Sequence, residues 1–271
     1  PEYVRKINRP DTVKYYKEFA RAMVYVTNME LMDLPKAKVQ YYIQTWHGDR
    51  AFKKVLWDSG YRTEKQKPIE SKKGMCDIAI AGSKYGLRQY RSAFLYEGDI
   101  LEVGTPRDDR LVTPEKKEIK KIRSQFNIDD DTRILLYAPT LRRKAVSEKA
   151  EQAVQDIDLA KTLNALEEKY GCKWVCFVRA HIAVSGISGV EYGEQIINVS
   201  DVEDMADLLL ISDMLITDYS SSAGDFALLN RPVILFQSDI KEYLEKDRAF
   251  YFNMEDSPYY IAINQGELEA I

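Results

Sequence analysis

The chain has 271 residues, a length that suits two domains of ordinary size. Apolar residues make up 45% of the sequence, enough for hydrophobic cores, and charged residues leave a net charge of only −4. This near-balance excludes a dedicated nucleic-acid binder, because neither half of the chain forms a basic block. No apolar run reaches the roughly 20 residues of a membrane span. The three cysteines predict reduced thiols in a cytosolic protein rather than a disulfide framework or a metal site.

The first part of the chain, residues 1–112, is predicted to form one domain. Apolar and aromatic residues at helical spacing and at strand spacing alternate along it. The predicted elements in chain order are a helix at 13–26, a strand at 38–46, a lysine-rich loop at 63–74, a strand at 76–83, a helix at 85–96 and a strand that begins at 99.

Residues 113–271 are predicted to form a second domain in which strands and helices alternate. It opens with a charged amphipathic helix at 113–128, with Thr113 as its cap and Pro114 at the first helical position. The alternation predicts an α/β fold with a doubly wound parallel sheet. The other predicted elements are strands at 133–140, 173–181, 195–200, 214–218 and 232–236, and helices at 158–171, 202–212 and 222–230.

Polar residues that suit chemistry follow the predicted strands. Ligands of open parallel sheets bind beyond the carboxyl ends of the strands, so we expect these residues to share one rim. Both histidines of the chain are among them. The residues at these strand ends include His47, Gly48, Ser83, Arg107, Thr140, Arg142, Arg179, His181 and Asp218.

Three consecutive serines, Ser220, Ser221 and Ser222, occupy the turn that opens the predicted helix at 222–230. Free backbone N–H groups and the positive end of the helix dipole can bind a phosphate at such a position. Simple capping of the helix by one serine is the alternative. The run of three, facing arginine-bearing loops, favours phosphate binding. The glycines of a Walker loop or a dinucleotide motif are absent, which disfavours ATP hydrolysis and dinucleotide redox chemistry.

Each histidine has a structural alternative, namely an imidazole packed in the core. His47 lies beside Gly48, which lets a ligand approach the backbone, and a histidine can take a proton from an attacking hydroxyl near neutral pH. His181 follows Arg179 closely, and together they can steady the charge of a leaving diphosphate. Paired-carboxylate catalysis and a metal site are both disfavoured, because no suitable cluster of ligands is evident.

The motifs QTWHGD, GTPRDD, LLYAPTLR, VRAH and LITDYSSSAGDFALLNRPVILF occur in this order between residues 40 and 255, and DIKEYLEKDRAFYF closes the series. Together they resemble the CDP-glycerol glycerophosphotransferase family, the primases and polymerases of teichoic acids and related capsule polymers. The resemblance implies a glycosyltransferase-B-like fold of two Rossmann-like domains with parallel sheets facing a cleft. It implies an incomplete acceptor-side domain at 1–112, a CDP-donor-binding domain at 113–271, and truncation at both ends.

The resemblance also implies an activity. Glycerol phosphate, or a related polyol phosphate, would pass from a CDP-linked donor to a hydroxyl of a polyol-phosphate or lipid-linked glycan acceptor, with release of CMP. No cofactor, no metal and no nucleic-acid partner are implied. A cytoplasmic location is implied, and the resemblance allows peripheral contact with the inner face of the plasma membrane.

The resemblance assigns roles to individual residues. His47 is expected to be the general base and His181 to contact the donor diphosphate. Gly48, Asp49 and Arg107 are expected on the acceptor side, although the family usually has Thr-Pro where this chain has Asp49–Arg50. The residues expected to bind the donor are Thr140, Arg142, Arg179, Asp218, Ser220, Ser221, Ser222, Asp225 and Arg248.

Two alternatives stay open at this point. One is a UDP-type nucleotide-sugar glycosyltransferase or epimerase, which would use the same helix start for a different diphosphate. The other is a polymer-binding module without catalytic activity. Selectivity for cytosine separates the first from the implied activity, and loss of turnover with retained binding separates the second.

Overall fold

The computed structural model describes residues 13–28, 37–60, 76–140, 152–153, 157–180, 187–188, 190–246 and 249–271. The chain divides into two compact units. Unit 1 consists of Pro1–Asp49 and Leu56–Pro106, and unit 2 consists of Arg50–Val55 and Arg107–Ile271. The functional boundary predicted between residues 112 and 113 stays a prediction. None of the helices in the described part of the chain combines the length and the hydropathy that a bilayer crossing requires.

Unit 1 is built around a parallel sheet that has four strands in the described ranges. Its elements are α1 (Val13–Arg21), β1 (Val24–Thr27), β2 (Tyr41–Gln44), a 3₁₀ helix (Leu56–Ser59), β3 (Ile78–Ala81), α2 (Lys84–Ser92) and β4 (Asp99–Glu102). The strand order is β1-β2-β3-β4. On β3, Ala79 and Ala81 are fully buried because alternate residues of a strand point to the same face.

The single helix predicted at 13–26 is wrong in its second half. The helix α1 ends at Arg21, and Val24–Thr27 form the edge strand β1, paired in parallel with β2. Alternating valines in VYVT suit an extended backbone because a β-branched side chain packs well on a pleated surface. The lysine-rich loop predicted at 63–74 lies outside the described residues.

Unit 2 contains a larger parallel sheet. Its elements are a 3₁₀ helix (Pro106–Asp108) at its border, α3 (Asp109–Val112), α4 (Lys116–Gln125), β5 (Arg133–Tyr137), β6 (Gln152–Ala153), α5 (Leu159–Tyr170), β7 (Trp174–Val178), β8 (Ile187–Ser188), β9 (Ile196–Asn198), α6 (Met205–Ile211), β10 (Met214–Thr217), α7 (Ser222–Ala227), β11 (Val233–Phe236), α8 (Ile240–Lys246), a 3₁₀ helix (Met254–Asp256), β12 (Tyr260–Ala262) and α9 (Gln265–Ala270). The main sheet has the order β12-β11-β10-β5-β7-β9 in the described ranges, and β6 pairs with β8.

This strand order is that of a doubly wound Rossmann-like sheet. The chain builds outward from β5 through β7 to β9 and then returns to the other side of β5 with β10, β11 and β12. Every residue of β7, β10 and β11 is buried, because side chains of parallel strands are covered on both faces. The predicted α/β class with two parallel-sheet units is therefore confirmed. The order reverses between β5 and β10, where such sheets bind ligands.

The helix predicted at 113–128 begins later than expected. The N-cap of α4 is Glu115, and Thr113 instead ends α3, with its backbone N–H donating to the carbonyl oxygen of Asp109. The predicted capping role of Thr113 is therefore wrong. The following Pro114 disfavours helical backbone at Thr113, so the short helix stops there and a new one starts after the proline.

Candidate functional site

His47 lies on the turn that follows β2 in unit 1, and its ring is held from two sides. Its Nδ1 is 2.6 Å from the carbonyl oxygen of Asn28. A carbonyl oxygen only accepts, so Nδ1 carries a proton and Nε2 is the ring atom that can take one up. The centroid of the Trp46 ring is 4.2 Å from that of His47, and Trp46 packs in turn against Phe94. His47 itself is exposed, so it is not the packed core imidazole that the sequence left as an alternative.

The backbone of this turn has an unusual conformation at Trp46. Its φ of 53° lies in the left-handed region, which is costly for a bulky residue. Gln44 stabilises it, because its Oε1 accepts the Trp46 N–H at 2.8 Å and its Nε2 donates to the Tyr42 hydroxyl at 2.7 Å. The preceding Thr45 donates its N–H to Thr27 of β1 at 2.9 Å. Strand pairing and a buried glutamine thus impose the turn that presents His47.

Gly48 and Asp49, both predicted on the acceptor side, are buried in unit 1. The Asp49 carboxylate lies at the start of α2. Its Oδ1 accepts the Gly82 N–H at 2.9 Å, and its Oδ2 accepts the Ser83 hydroxyl at 3.1 Å. With 3% of Asp49 exposed, the carboxylate faces the helix rather than solvent. A role for Asp49 in contact with an acceptor stays a prediction.

In unit 2, Asp218 follows β10 and lies where the strand order of the sheet reverses between β5 and β10. Its carboxylate accepts the backbone N–H of Thr140 at 2.8 and 3.0 Å, and Gln237 donates to its carbonyl oxygen at 3.1 Å. Asp218 is fully buried. It therefore shapes the loop after β5, in which Thr140 is half-buried. The structure brings these two predicted residues together, with Asp218 acting on the loop rather than at the surface.

The serine run lies directly after Asp218, where the sequence places it. Ser222 is buried and donates its hydroxyl to Ser220 Oγ at 2.9 Å, whereas Ser220 and Ser221 are half-buried. Ser221 is the N-cap of α7 but makes no side-chain capping bond to the helix. Ser220 Oγ instead accepts the N–H of Ser222, the first residue of α7, at 3.3 Å, so capping of the helix by one serine stays an alternative for this run.

The remaining donor-side predictions are only partly covered by the described residues. Arg179 follows β7 and donates from Nη1 to the carbonyl oxygen of Val202 at 2.6 Å, and burial lowers its pKa. One part of its guanidinium thus holds the loop after β9. His181, Arg142 and Arg248 lie outside the described residues, so their roles stay predictions.

A network of four charged residues connects α7 to two distant segments of unit 2. Arg107 binds Asp225 as a fork, with Nε at 3.2 Å and Nη2 at 3.0 Å, and Arg50 Nη1 lies 2.8 Å from Asp225 and 2.5 Å from Asp108. Burial raises the pKa of Asp225, while the charges of Arg107 and Arg50 act in the opposite direction. The sequence predicted Arg107 for the acceptor side and Asp225 for the donor side, and the structure pairs them.

Several members of these arrangements, among them Arg50, Asp108 and Asn28, were not predicted as site residues. Arg50 was noted only as a departure in the motif, although a cation directly after Trp-His-Gly-Asp was a visible signal. The carbonyl of Asn28 had no signal at all, since a backbone oxygen depends on the fold and not on the residue type. Both contacts join positions far apart in the sequence.

Comparison with known proteins gives a consistent result. A family model described as CDP-Glycerol:Poly(glycerophosphate) glycerophosphotransferase matches residues 1–269. A teichoic acid poly(glycerol phosphate) polymerase of Staphylococcus epidermidis is 35% identical, over 95% of this chain and 37% of its own length. A protein of the same description from Bacillus spizizenii is 34% identical, over 93% of this chain and 65% of its own length.

A solved structure also matches. The wall teichoic acid polymerase TagF has a TM-score of 0.83 and 31% identity, with 98% of this chain and 67% of that chain covered. A variant of TagF soaked with CDPG matches with a TM-score of 0.78. The chain thus spans between 37% and 67% of the length of these relatives. As its motifs predict, the chain belongs to the CDP-glycerol:poly(glycerophosphate) glycerophosphotransferase family.

Proposed function

We propose that the protein transfers glycerol phosphate, or a related polyol phosphate, from a CDP-linked donor to a hydroxyl group of a teichoic-acid-type polymer. The acceptor oxygen attacks the phosphorus that bears the polyol, and a new phosphodiester bond forms there. The bond from that phosphorus to the bridging oxygen breaks, and CMP leaves with that oxygen. Family membership over residues 1–269 supports this activity over a UDP-type transferase or a non-catalytic module.

The observation that carries the proposed chemistry is the arrangement of His47. Because its Nδ1–H is bonded to the carbonyl of Asn28, Nε2 is the atom that takes the proton from the attacking hydroxyl. The same bond steadies the imidazolium that forms, since a protonated ring still donates from Nδ1. The Trp46 ring limits rotation of the imidazole from one side.

For the donor we propose the loops at the carboxyl edge of the unit 2 sheet. The half-buried hydroxyls of Ser220 and Ser221 and the backbone near Thr140 offer hydrogen bonds to phosphate oxygens. Phosphoryl transfer depends mainly on positioning and on stabilising charge, which suits hydroxyls and cations at this edge. His181, Arg142 and Arg248 keep the donor-side roles that the family resemblance implies. The CDP-linked donor is a substrate, and no cofactor is invoked.

The test measures CMP release from CDP-glycerol with a short glycerol-phosphate oligomer as acceptor. We expect His47→Asn to lower kcat by about 10²–10⁴-fold, the range for loss of general-base catalysis, while calorimetric binding of CDP-glycerol persists. Ser221→Ala should instead weaken that binding. CDP-ribitol and UDP-glucose serve as comparison donors. Preference for UDP-glucose would refute the proposed reaction, and full turnover by His47→Asn would refute the role of His47 as general base.

We also propose peripheral contact with the inner face of the plasma membrane. Family membership supports it, as do the exposed apolar side chains of Val24, Val26 and Tyr41 on unit 1. Cosedimentation with vesicles of mixed anionic and neutral lipids measures this contact. Absence of cosedimentation at low salt would rule it out.

A further inference from the structure

We infer that Asp49 is a positioning residue for His47, an inference that rests on the proposed function. Asp49 follows the imidazole by two positions, and its buried carboxylate fastens the turn to Gly82 and to Ser83, the N-cap of α2. It acts through the backbone of Gly48 and not through the ring. The role is thus to hold the turn in the one conformation in which Nδ1 reaches Asn28.

The carboxylate has a well-defined set of donors. The Gly82 N–H and the Ser83 hydroxyl each donate to one of its oxygens, and Ser83 Oγ in turn accepts the Gly86 N–H at 3.1 Å. Both bonds to the carboxylate are donated by the two residues that lead into α2. A negative charge is favoured there because the first turn of a helix carries unpaired N–H groups and a partial positive charge. Hydrogen bonds to a charged acceptor are the stronger kind.

Two glycines make room for the carboxylate. A Cβ at Gly86 would lie 1.6 Å from Asp49 Oδ1, and the three atoms nearest to it all belong to the Asp49 carboxyl group. A Cβ at Gly82 would lie 2.3 Å from Thr105 Oγ1 and 2.6 Å from Asp49 Oδ2, so this glycine makes room for both side chains. Neither glycine needs positive φ, so backbone conformation does not explain their presence. Glycine inside a helix costs about 0.5–1 kcal/mol relative to alanine, and here it leaves space for the side chain of Asp49.

The turn is therefore held on both sides of His47. Gln44 fixes the side before it, and Asp49 fixes the side after it, with the strained Trp46 between them. Strained backbone persists only where its surroundings determine it fully. Without the Asp49 bonds the turn can relax, and the Nδ1 bond to Asn28 is then made for a smaller fraction of the time.

The predicted consequence is a loss of kcat without a loss of donor affinity. Displacement of a catalytic group by about 1 Å can cost on the order of 10²-fold, so we expect Asp49→Ala to lower kcat by roughly that factor. Asp49→Asn keeps one carbonyl oxygen for the Gly82 N–H and should recover most of the activity. The KM for CDP-glycerol should stay within about two-fold, since the proposed donor residues belong to unit 2.

Asp77 provides a matched control in the same unit. Its carboxylate accepts the Tyr42 N–H at 2.7 Å, a bond of the same kind, but it precedes β3 whereas His47 follows β2. In parallel strands these positions lie at opposite edges of the sheet. Asp77→Ala should lower the melting temperature and leave kcat unchanged at temperatures well below melting. Equal loss of kcat in Asp77→Ala and Asp49→Ala would reduce Asp49 to a stabilising residue and overturn the inference.

A double-mutant cycle with Gly86 tests the mechanism and does not depend on Asp49→Ala alone. Gly86→Ala should displace the carboxylate and lower kcat in the otherwise unchanged protein. In the Asp49→Ala background the same substitution should have little further effect, because the atoms it displaces are gone. Independent, multiplicative losses of kcat from the two substitutions would overturn the inference.

The failure of this inference is distinguishable from the failure of the proposed function. If His47→Asn is inactive while Asp49→Ala keeps full kcat, only the role of Asp49 is refuted. If the unmodified protein releases no CMP, the proposed reaction itself fails. If His47→Asn keeps full turnover, the general-base role of His47 fails. In either case the role of Asp49 fails as well.

Discussion

Substitution of Arg50 tests how much the charged network of Arg50, Arg107, Asp108 and Asp225 stabilises unit 2. Arg50 Nη1 bridges Asp108 at 2.5 Å and Asp225 at 2.8 Å, and its aliphatic part lies against Gly224 of α7. Arg50→Met keeps a similar aliphatic length and removes only the charge and its hydrogen bonds. Two nearly buried carboxylates, with side chains 4% and 12% exposed, then share the single guanidinium of Arg107.

The loss of stability in Arg50→Met depends on the charges that remain after the substitution. Removal of one partner of a buried ion pair typically costs about 3–5 kcal/mol, because the other charge is left uncompensated. Here the loss is softened, since Arg50 is 20% exposed and Arg107 still lies 3.0 Å from Asp225 and 3.6 Å from Asp108. We therefore expect Arg50→Met to lower the free energy of unfolding of unit 2 by about 2–3 kcal/mol. Adding Asp108→Asn should recover part of this loss.

Arg110 provides the matched control in the same unit. It binds three carboxylates, those of Glu118, Asp204 and Asp207, but its side chain is 34% exposed, compared with 20% for Arg50. Exposed ion pairs contribute about 0–1 kcal/mol. Arg110→Met should therefore cost less than Arg50→Met even though it removes more partners. Urea denaturation gives both values, and hydrogen exchange of peptides from α7 and β10 assigns the loss to unit 2.

The loss of unfolding free energy in Arg50→Met, called its stability deficit, should also depend on pH. Burial raises the pKa of Asp225 above its ordinary value, and Arg107 and Arg50 lower it, so removal of Arg50 raises this pKa further. When folding raises the pKa of a carboxyl group, the free energy of unfolding of the protein falls as the pH rises through the pKa of the folded state. The deficit should therefore be largest at neutral pH and shrink as Asp225 becomes protonated. A deficit that equals that of Arg110→Met, or that is constant with pH, would refute this reasoning.

Two further predictions concern α7 and Tyr219, which directly precedes the serine run. In Gly224→Ala the new Cβ would lie 2.6 Å from Arg50 Cβ and 2.8 Å from its Cδ. We therefore expect the free energy of unfolding, measured by urea denaturation, to fall by about 1–3 kcal/mol. An unchanged free energy of unfolding would mean that the aliphatic part of Arg50 moves aside freely. Tyr219→Phe keeps the ring 3.8 Å from that of Tyr243 but loses the 2.9 Å hydroxyl bond to Asp239. It should cost about 1.5–3 kcal/mol in thermal unfolding, as for bonds to charged groups, and Tyr219→Leu should cost more. Equal losses for these two variants would contradict the contribution of ring stacking.

Much of unit 2 was predictable from sequence because its strands are buried on both faces. RILLY, MLIT and VILF read as continuous apolar runs, which is the pattern of a covered parallel sheet. Edge strand β1 gave no such signal. Its residues alternate between exposed and half-buried, and VYVT follows an amphipathic helix closely enough to extend that helical pattern.

The candidate site shows the same division between local and distant information. The turn at His47 and the serine run at the start of α7 are local features, so motif and spacing revealed them. The partners that define their geometry come from elsewhere in the fold: Asn28 for His47, Gly82 for Asp49, and Asp225 for Arg50. No local pattern predicts a contact across 175 positions, because only the folded sheet brings the two segments together.

Asp49 and Arg50 are consecutive residues, yet each is bound within a different unit. The bonds of Asp49 lie in unit 1, at the start of α2, and those of Arg50 lie in unit 2, at α7. The peptide between them therefore joins two separately fixed side chains. We expect Asp49→Ala to lower kcat with little effect on hydrogen exchange in α7. Arg50→Met should raise exchange in α7 and leave exchange in α2 unchanged. Identical effects of the two variants on both helices would show that the segment acts as a single link, and the separate roles would have to be abandoned.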